Sequence, residues 1–381
     1  MRLDILRRIR LMAALLLATV VLQPFGQPAA LAVNPGQCEA ATIPVTLLGS
    51  SSPTYTVRGT LCMPLGPEPD VVQLLLHGGT YNRSYFDFGY KNAIYSYQLH
   101  ATAVGYATFN LDRIGYGTSD HPVSTDLSTA NQAYVIHQVV QALRTGLNGE
   151  SFDWVQSVGH SLGTMAAAVE AATYADVDSL ILTGLSHVFS PSGAAAAQAS
   201  QYEANNETQF AGLDDGYLTT IPDTRGDTFY YEPGASPAVI ALDEETKDTF
   251  PVTEFGAGLT PYDLTSEIDV PVLVVIGEFD SLLCGEDGMD CSTSATIQDT
   301  EEPYFDSAAC MRALSIPDTG HDVQLHRTVL LSNALMLAWS VLVTGGGAGT
   351  GTGCTALAAS WSATEASIML TAPMLIAAAA D

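Results

Sequence analysis

Short apolar runs recur along the chain at residues 71–76, 106–111, 154–158, 179–183 and 270–276, with 313–316 a weaker last member. Runs of this length without polar alternation are the pattern of strands covered on both faces. Between them, 129–147 and 164–174 read as helices. Such alternation predicts an α/β fold: a mostly parallel central sheet with helices on both faces. Upstream, 43–48 and 55–61 read as two short strands split by the turn residues of 49–53, an expected edge hairpin.

The alternation breaks from about His187 to Tyr262, where Ala194 to Ala197 and the aromatics Tyr202, Phe210, Phe229, Tyr230 and Tyr231 stand amid polar turns. A structureless loop of that length is uncommon, so an inserted cap over the site is expected. The expected organisation is a core in two parts, 33–186 and 263–343, with a cap or lid at 187–262. Residues 344–381 read as a Gly-rich linker and an apolar C-terminal tail.

The N-terminus reads as a secretory signal. Arg7, Arg8 and Arg10 precede the apolar stretch 11–22, and Ala30-Leu31-Ala32 supplies a small-residue cleavage site after Ala32. About a dozen apolar residues fall short of the roughly 20 that span a bilayer, so no stable membrane span is expected after cleavage, and the product is expected to be secreted. Removing 1–32 takes four arginines and one aspartate, so the formal charge goes from −28 to −31. So acidic a surface argues against nucleic acid as a partner and favours a neutral or cationic small molecule. Six cysteines in an exported chain are expected to be structural disulfides, and Cys38 with Cys62 is the expected first pair, since both flank the first strand pair. No C-x-x-C or clustered His/Cys spacing points to a metal, and no cofactor motif is present: Gly345 to Gly349 lacks the lysine of a phosphate-binding loop.

The chemistry is concentrated at strand ends. Gly159-His160-Ser161-Leu162-Gly163 lies between the run 154–158 and the helix-forming stretch from Thr164, so strand, sharp turn and helix succeed one another with Ser161 at the turn. A nucleophile there sits in strained backbone and needs small neighbours, and the helix start offers free N–H groups to an oxyanion. A serine hydroxyl requires a base and a group to orient that base. Of eight histidines, His321 follows the last strand in Pro317-Asp318-Thr319-Gly320-His321-Asp322 and is the candidate base. Asp280, in Gly277-Glu278-Phe279-Asp280 after the run 270–276, is the candidate orienting acid, with Glu278, Asp318 and Asp322 as alternatives. His77-Gly78-Gly79-Thr80 after the run 71–76 supplies a second oxyanion donor, so the hole is assigned to the N–H groups of Gly79 and Leu162, with Thr80 the alternate for the first.

These motifs, together with the loop Asp112-Arg113-Ile114-Gly115-Tyr116-Gly117-Thr118-Ser119, resemble those of α/β-hydrolase-fold serine hydrolases over roughly residues 40–340. Within that superfamily, His77 to Asn82 is similar to the H-G-[GA]-T-Y-N segment of secreted actinobacterial and fungal hydrolases. The resemblance implies the chain order Ser161, Asp280, His321 for a triad. It also implies supporting roles for Asp112 and Arg113, and His77, Gly78, Thr80, Tyr81 and His160 are expected beneath or around the site. Tyr81, Tyr85, Phe86 and the cap aromatics are expected to wall an apolar pocket. The expected activity is hydrolysis of a neutral, fairly hydrophobic carboxylic ester or lactone through an acyl-enzyme. Acyl transfer or amide cleavage by the same triad, and a catalytically silent secreted binding protein, are the alternatives.

Overall fold

The computed structural model describes residues 36–379 apart from 51, 53, 54 and 346–353. The expected signal segment and most of the Gly-rich linker lie outside the described residues. The strands are β1 (Cys38–Val45), β2 (Tyr55–Cys62), β3 (Val71–Leu76), β4 (Ala107–Asp112), β5 (Trp154–His160), β6 (Ser179–Thr183), β7 (Gln201–Glu203), β8 (Tyr217–Thr220), β9 (Phe250–Pro251), β10 (Val272–Gly277) and β11 (Arg312–Ile316). Eight of them form one sheet in the order β1-β2-β4-β3-β5-β6-β10-β11. Strand β2 is antiparallel to both its neighbours, and every pair from β4 to β11 is parallel.

The apolar runs became strands because two cores take up their two faces. Val72, Leu74 and Leu76 of β3 point into one core with the helices Thr129–Thr145 and Leu162–Tyr174, while Leu75 points into the other, with Val158, Ile181, Val275 and the helix Val329–Gly345. Strands β4, β6 and β10 are buried at every position. Strand β1 begins five residues before its expected start. Cys38, Glu39 and Ala40 are exposed, so no apolar pattern marks them. Pairing with β2 holds them, down to Cys38 opposite Cys62, and those two cysteines form the expected disulfide. The remaining pairs are Cys284–Cys291 and Cys310–Cys354.

Between β6 and β10 lie the helices Pro191–Ala199, Arg225–Phe229 and Pro237–Thr246 and a three-stranded antiparallel sheet, β7-β8-β9. The C-terminal tail, whose role the composition leaves unreadable, forms the helices Cys354–Met369 and Ala372–Ala379, which pack on Val329–Gly345. Trp361 meets Trp339 edge to face at 5.5 Å, and Cys354 is tied to the body through Cys310. Among the described residues no single helix is long and apolar enough to cross a membrane. The two tail helices together have the length and composition to do so, but they are bent by 54°.

Candidate active site

Strand β5 runs straight into the helix Leu162–Tyr174 through one residue, Ser161, whose φ of 52° and ψ of −121° no ordinary side chain prefers. Such a conformation costs on the order of 1–3 kcal/mol and persists only where the surroundings over-determine it. They do so here by closeness. A Cβ on Gly159 would lie 2.7 Å from the Cα of Thr164, and one on Gly163 would lie 2.2 Å from the carbonyl oxygen of Leu76. The Ser161 N–H donates to the carbonyl of Thr183 (2.8 Å), as does the Thr164 hydroxyl (2.8 Å). The turn is thereby pinned between β3 and β6.

His321 lies in the loop after β11, and its Nδ1 is 2.9 Å from Asp280 Oδ2, at the end of β10. Asp280 is fully buried, and its other oxygen accepts the N–H of Leu282 at 3.0 Å. With Nδ1–H given to a carboxylate, the lone pair of the neutral ring falls on Nε2. Burial favours the neutral imidazole, but the charge of Asp280 and its hydrogen bond outweigh burial, with Asp322 adding to them, and the pKa is raised above the ordinary histidine value. None of the alternative acids has a hydrogen bond or ion pair with the His321 side chain. Glu278 accepts from the N–H of Asp318 (3.2 Å), and Asp322 turns into a separate network. Sequence reasoning missed Gly184, which follows β6 with φ +62°. A Cβ there would lie 2.8 Å from His160 Cε1 and 3.2 Å from His321 Cε1. Its position after a buried strand was the available signal.

The loop after β3 meets the elbow from the other side. A Cβ on Gly78 would stand 3.1 Å from Ser161 Cβ, and one on Gly79 would stand 2.8 Å from Leu162 Cδ1. The Thr80 N–H, the alternate oxyanion donor, is taken by the Thr249 carbonyl at 3.2 Å, while the N–H groups of Gly79 and Leu162 donate to no acceptor among the described residues. Thr80 itself has φ +62° and is held from the insertion. Its carbonyl accepts the Asp248 N–H (2.9 Å) and its hydroxyl accepts from Arg225 Nη1 (2.9 Å). Arg225 in turn grips Asp243 through Nε (2.8 Å) and Nη2 (3.0 Å), all fully buried. Nothing in the sequence pattern marks Arg225 or Asp243, because they gain meaning only where the insertion folds over β3.

A further layer lies beneath. His77 is buried; its Nδ1 is 2.8 Å from the Gly78 carbonyl and its Nε2 accepts the Arg113 N–H at 3.2 Å, and burial followed by the nearby Arg113 charge holds its pKa well below the ordinary value. Arg113 donates through Nε to the His77 carbonyl (2.9 Å) and pairs with Glu254. Asp112 accepts from the Arg83 N–H (2.9 Å), Arg83 Nη1 (2.6 Å) and the Thr118 N–H (2.9 Å), so it ties two loops together. His160 points away from Ser161. Its Nδ1 donates to the Thr183 hydroxyl (3.0 Å), whose own proton goes to the Gly159 carbonyl, and its Nε2 faces Asp322 Oδ1 at 3.4 Å. Tyr85 stacks on the His160 ring at 4.3 Å, and the Tyr81 hydroxyl donates to Asp322 Oδ2 at 2.5 Å.

Ser161, His321, Gly79 and Leu162 open together into a cavity of about 610 Å³. Its walls depart from expectation. Tyr81, Tyr85 and Phe86 are buried and do not line it. The insertion does supply aromatic surface as expected, through Phe229, and also through Phe189, Phe250 and Phe255 with Leu218. No Asp, Glu, Lys or Arg lines the cavity, although the whole chain carries a formal charge of −28. The arrangement holds a hydroxyl at a strained turn, a histidine base with an oriented ring and two unsatisfied N–H donors, which is the equipment of acyl transfer.

No curated protein matches the sequence at a significant level. Among solved structures, the peroxisomal α/β-hydrolase Lpx1 from Saccharomyces cerevisiae is similar with a TM-score of 0.51 and 11% identity, covering 82% of this chain and 91% of that one. The enol-lactonase from Burkholderia xenovorans is similar with a TM-score of 0.50 and 14% identity, covering 79% of this chain and 98% of that one. Likeness at these identities speaks to the fold. Residues 73–332, more than half of the chain, match the alpha/beta hydrolase family, and together with the strand order and the turn at Ser161 this makes the chain a member of that family.

Proposed function

We propose that this α/β hydrolase is an exported serine esterase that cleaves a carboxylic ester or lactone of a neutral, hydrophobic small molecule. The observation that carries the reading is the His321–Asp280 hydrogen bond of 2.9 Å at the wall of the cavity that also receives Ser161. Ser161 Oγ attacks the carbonyl carbon and His321 Nε2 takes its proton; the oxyanion sits between the N–H groups of Gly79 and Leu162. His321 returns the proton to the departing alcohol oxygen as the ester C–O bond breaks, leaving an acyl-Ser161. Water, deprotonated by the same nitrogen, then releases the acid and restores the hydroxyl. The uncharged, aromatic cavity wall favours apolar acyl or alcohol groups and disfavours ionised ones, which would be desolvated without a partner.

Labelling by a fluorophosphonate tests the nucleophile. The wild type is expected to take one adduct, and Ser161→Ala none. Equal labelling of both, or an unlabelled wild type, overturns the proposal. A chain-length series of p-nitrophenyl esters, followed by lactones, then bounds the cavity, and product analysis with added alcohol separates hydrolysis from acyl transfer.

A further inference from the structure

At the far end of the helix that starts at Leu162, three ligand-type side chains converge outside the catalytic cavity. Glu170 lies eight residues beyond Leu162, about 12 Å along the helix axis at 1.5 Å per residue. His137 comes from the neighbouring helix Thr129–Thr145, and Asp176 follows just past the helix end at Tyr174. Their ligating atoms lie within 4.8 Å of one another. Glu170 is fully buried, no N–H or hydroxyl donor among the described residues reaches either of its carboxyl oxygens or Asp176 Oδ1, and the Glu170 and Asp176 carboxyl groups hydrogen-bond to each other. His137 Nδ1 lies 2.7 Å from Asp176 Oδ2, which also accepts from Gln141 Nε2 at 2.6 Å.

Arg144 is close enough for its charge to act on Glu170, but its hydrogen bonds are made elsewhere. Its donors go to the carbonyls of Asp176 (3.0 and 2.7 Å) and Asp153 (2.9 Å) and to the carboxylate of Asp178 (2.6 Å). Two carboxyl groups thus share one hydrogen bond, and the buried one has no N–H or hydroxyl donor besides. A buried carboxylate persists when a proton or a cation compensates it. The helix C-terminus at Tyr174 adds partial negative charge, which favours a cation. One imidazole and two carboxylates are the donor set of a borderline-soft divalent metal, and the rims of His137 and Asp176 reach solvent, so an ion has a way in.

We propose that His137, Glu170 and Asp176 form a binding site for one divalent cation of the zinc type, separate from the catalytic cavity, which staples the helices Thr129–Thr145 and Leu162–Tyr174 together. The ion takes the place of the hydrogen between His137 Nδ1 and Asp176, with the imidazole proton carried on Nε2, and of the proton shared by the two carboxyl groups, which goes to solvent. Its role is structural: the ester chemistry of Ser161 does not pass through it.

The test uses the full chain with affinity tags removed. After stripping with a chelator, ZnCl2 is titrated by calorimetry, metal content is measured by plasma mass spectrometry after dialysis, and thermal unfolding is followed with and without zinc. The wild type is expected to bind one equivalent and to unfold at a higher temperature with zinc. Glu170→Gln and His137→Asn are each expected to bind at least tenfold more weakly, while their esterase rates stay at the zinc-free wild-type level. His137 is partly exposed, so His137→Asn keeps the test open if Glu170→Gln fails to fold. No saturable uptake by the wild type, or uptake unchanged in His137→Asn, overturns the site. Glu170→Gln that is more stable than a wild type indifferent to zinc shows a shared proton in place of a metal and overturns it equally.

Discussion

Replacing Asp280 by Asn isolates what the buried carboxylate does for His321. The carboxylate lies 2.9 Å from Nδ1, and at an effective dielectric of about 20 a unit charge pair at that distance is worth about 5.7 kcal/mol. Asparagine removes the charge while keeping the size, so the imidazolium formed when Ser161 loses its proton is no longer stabilised. It also loses the tautomer control. In the serine-protease triad the corresponding change lowers turnover about 10⁴-fold, roughly 5.4 kcal/mol at 1.36 kcal/mol per decade, which agrees with the Coulomb figure. The expected outcome is a fall of about 10³ to 10⁴ in plateau kcat/KM. The pH profile supplies a second reading. His321 works as a base only when neutral, and its pKa stands above the ordinary value because Asp280 overcomes burial. Wild-type kcat/KM therefore falls as pH drops below neutral, and in Asp280→Asn, with burial left dominant, the acid limb moves to lower pH. The sign for stability is consistent: a group whose folded pKa is raised stabilises most below its unfolded pKa, and that share disappears as pH rises through the folded value. Hydrolysis of p-nitrophenyl butyrate from pH 5 to 9, with circular dichroism as a folding control, provides the assay. A correctly folded Asp280→Asn with kcat/KM within about tenfold of wild type, or an acid limb shifted upward, refutes the reasoning.

Arg225→Met leaves Asp243 buried without its partner and releases Thr80, so stability should fall by about 3–5 kcal/mol in urea titration, and kcat should fall more than KM. Adding Asp243→Leu should restore stability but not kcat, and a full return of both would show that Arg225 is structural only. Gly163→Ala places a Cβ 2.2 Å from the Leu76 carbonyl oxygen, so the helix must back away from β3. Melting within about 2 °C of wild type together with full activity would contradict that close approach. Cys310→Ser opens a link spanning 44 residues, worth at most about 4 kcal/mol of chain entropy. The C-terminal helices should then be clipped by limited proteolysis before the core, and protection equal to wild type would show that the Trp361–Trp339 packing suffices alone.

What the sequence alone determined is local or repeats in one dimension. Mostly apolar runs six or seven residues long announced the buried strands β3, β4 and β10, because burial on both faces leaves no solvent-facing positions to alternate with. Ser161, Asp280 and His321 were legible because each stands within five residues of the end of an apolar run, with a glycine one to three positions before it. The first three residues of β1 carry no such pattern, and they are held by pairing and a disulfide that a period-two reading cannot see. Tertiary structure alone decided the rest. It chose Gly79 over Thr80 as the free donor, because the Thr80 N–H is used by Thr249, 169 positions later in the chain. It removed Tyr81, Tyr85 and Phe86 from the expected aromatic wall and left the insertion's aromatics, and it brought Arg225 onto Thr80 and His137 onto Glu170 and Asp176. The physical reason is common to all four: hydrogen-bond satisfaction, charge compensation and apolar packing are properties of groups meeting in space. Residues far apart in sequence show nothing of either until the chain has closed around them.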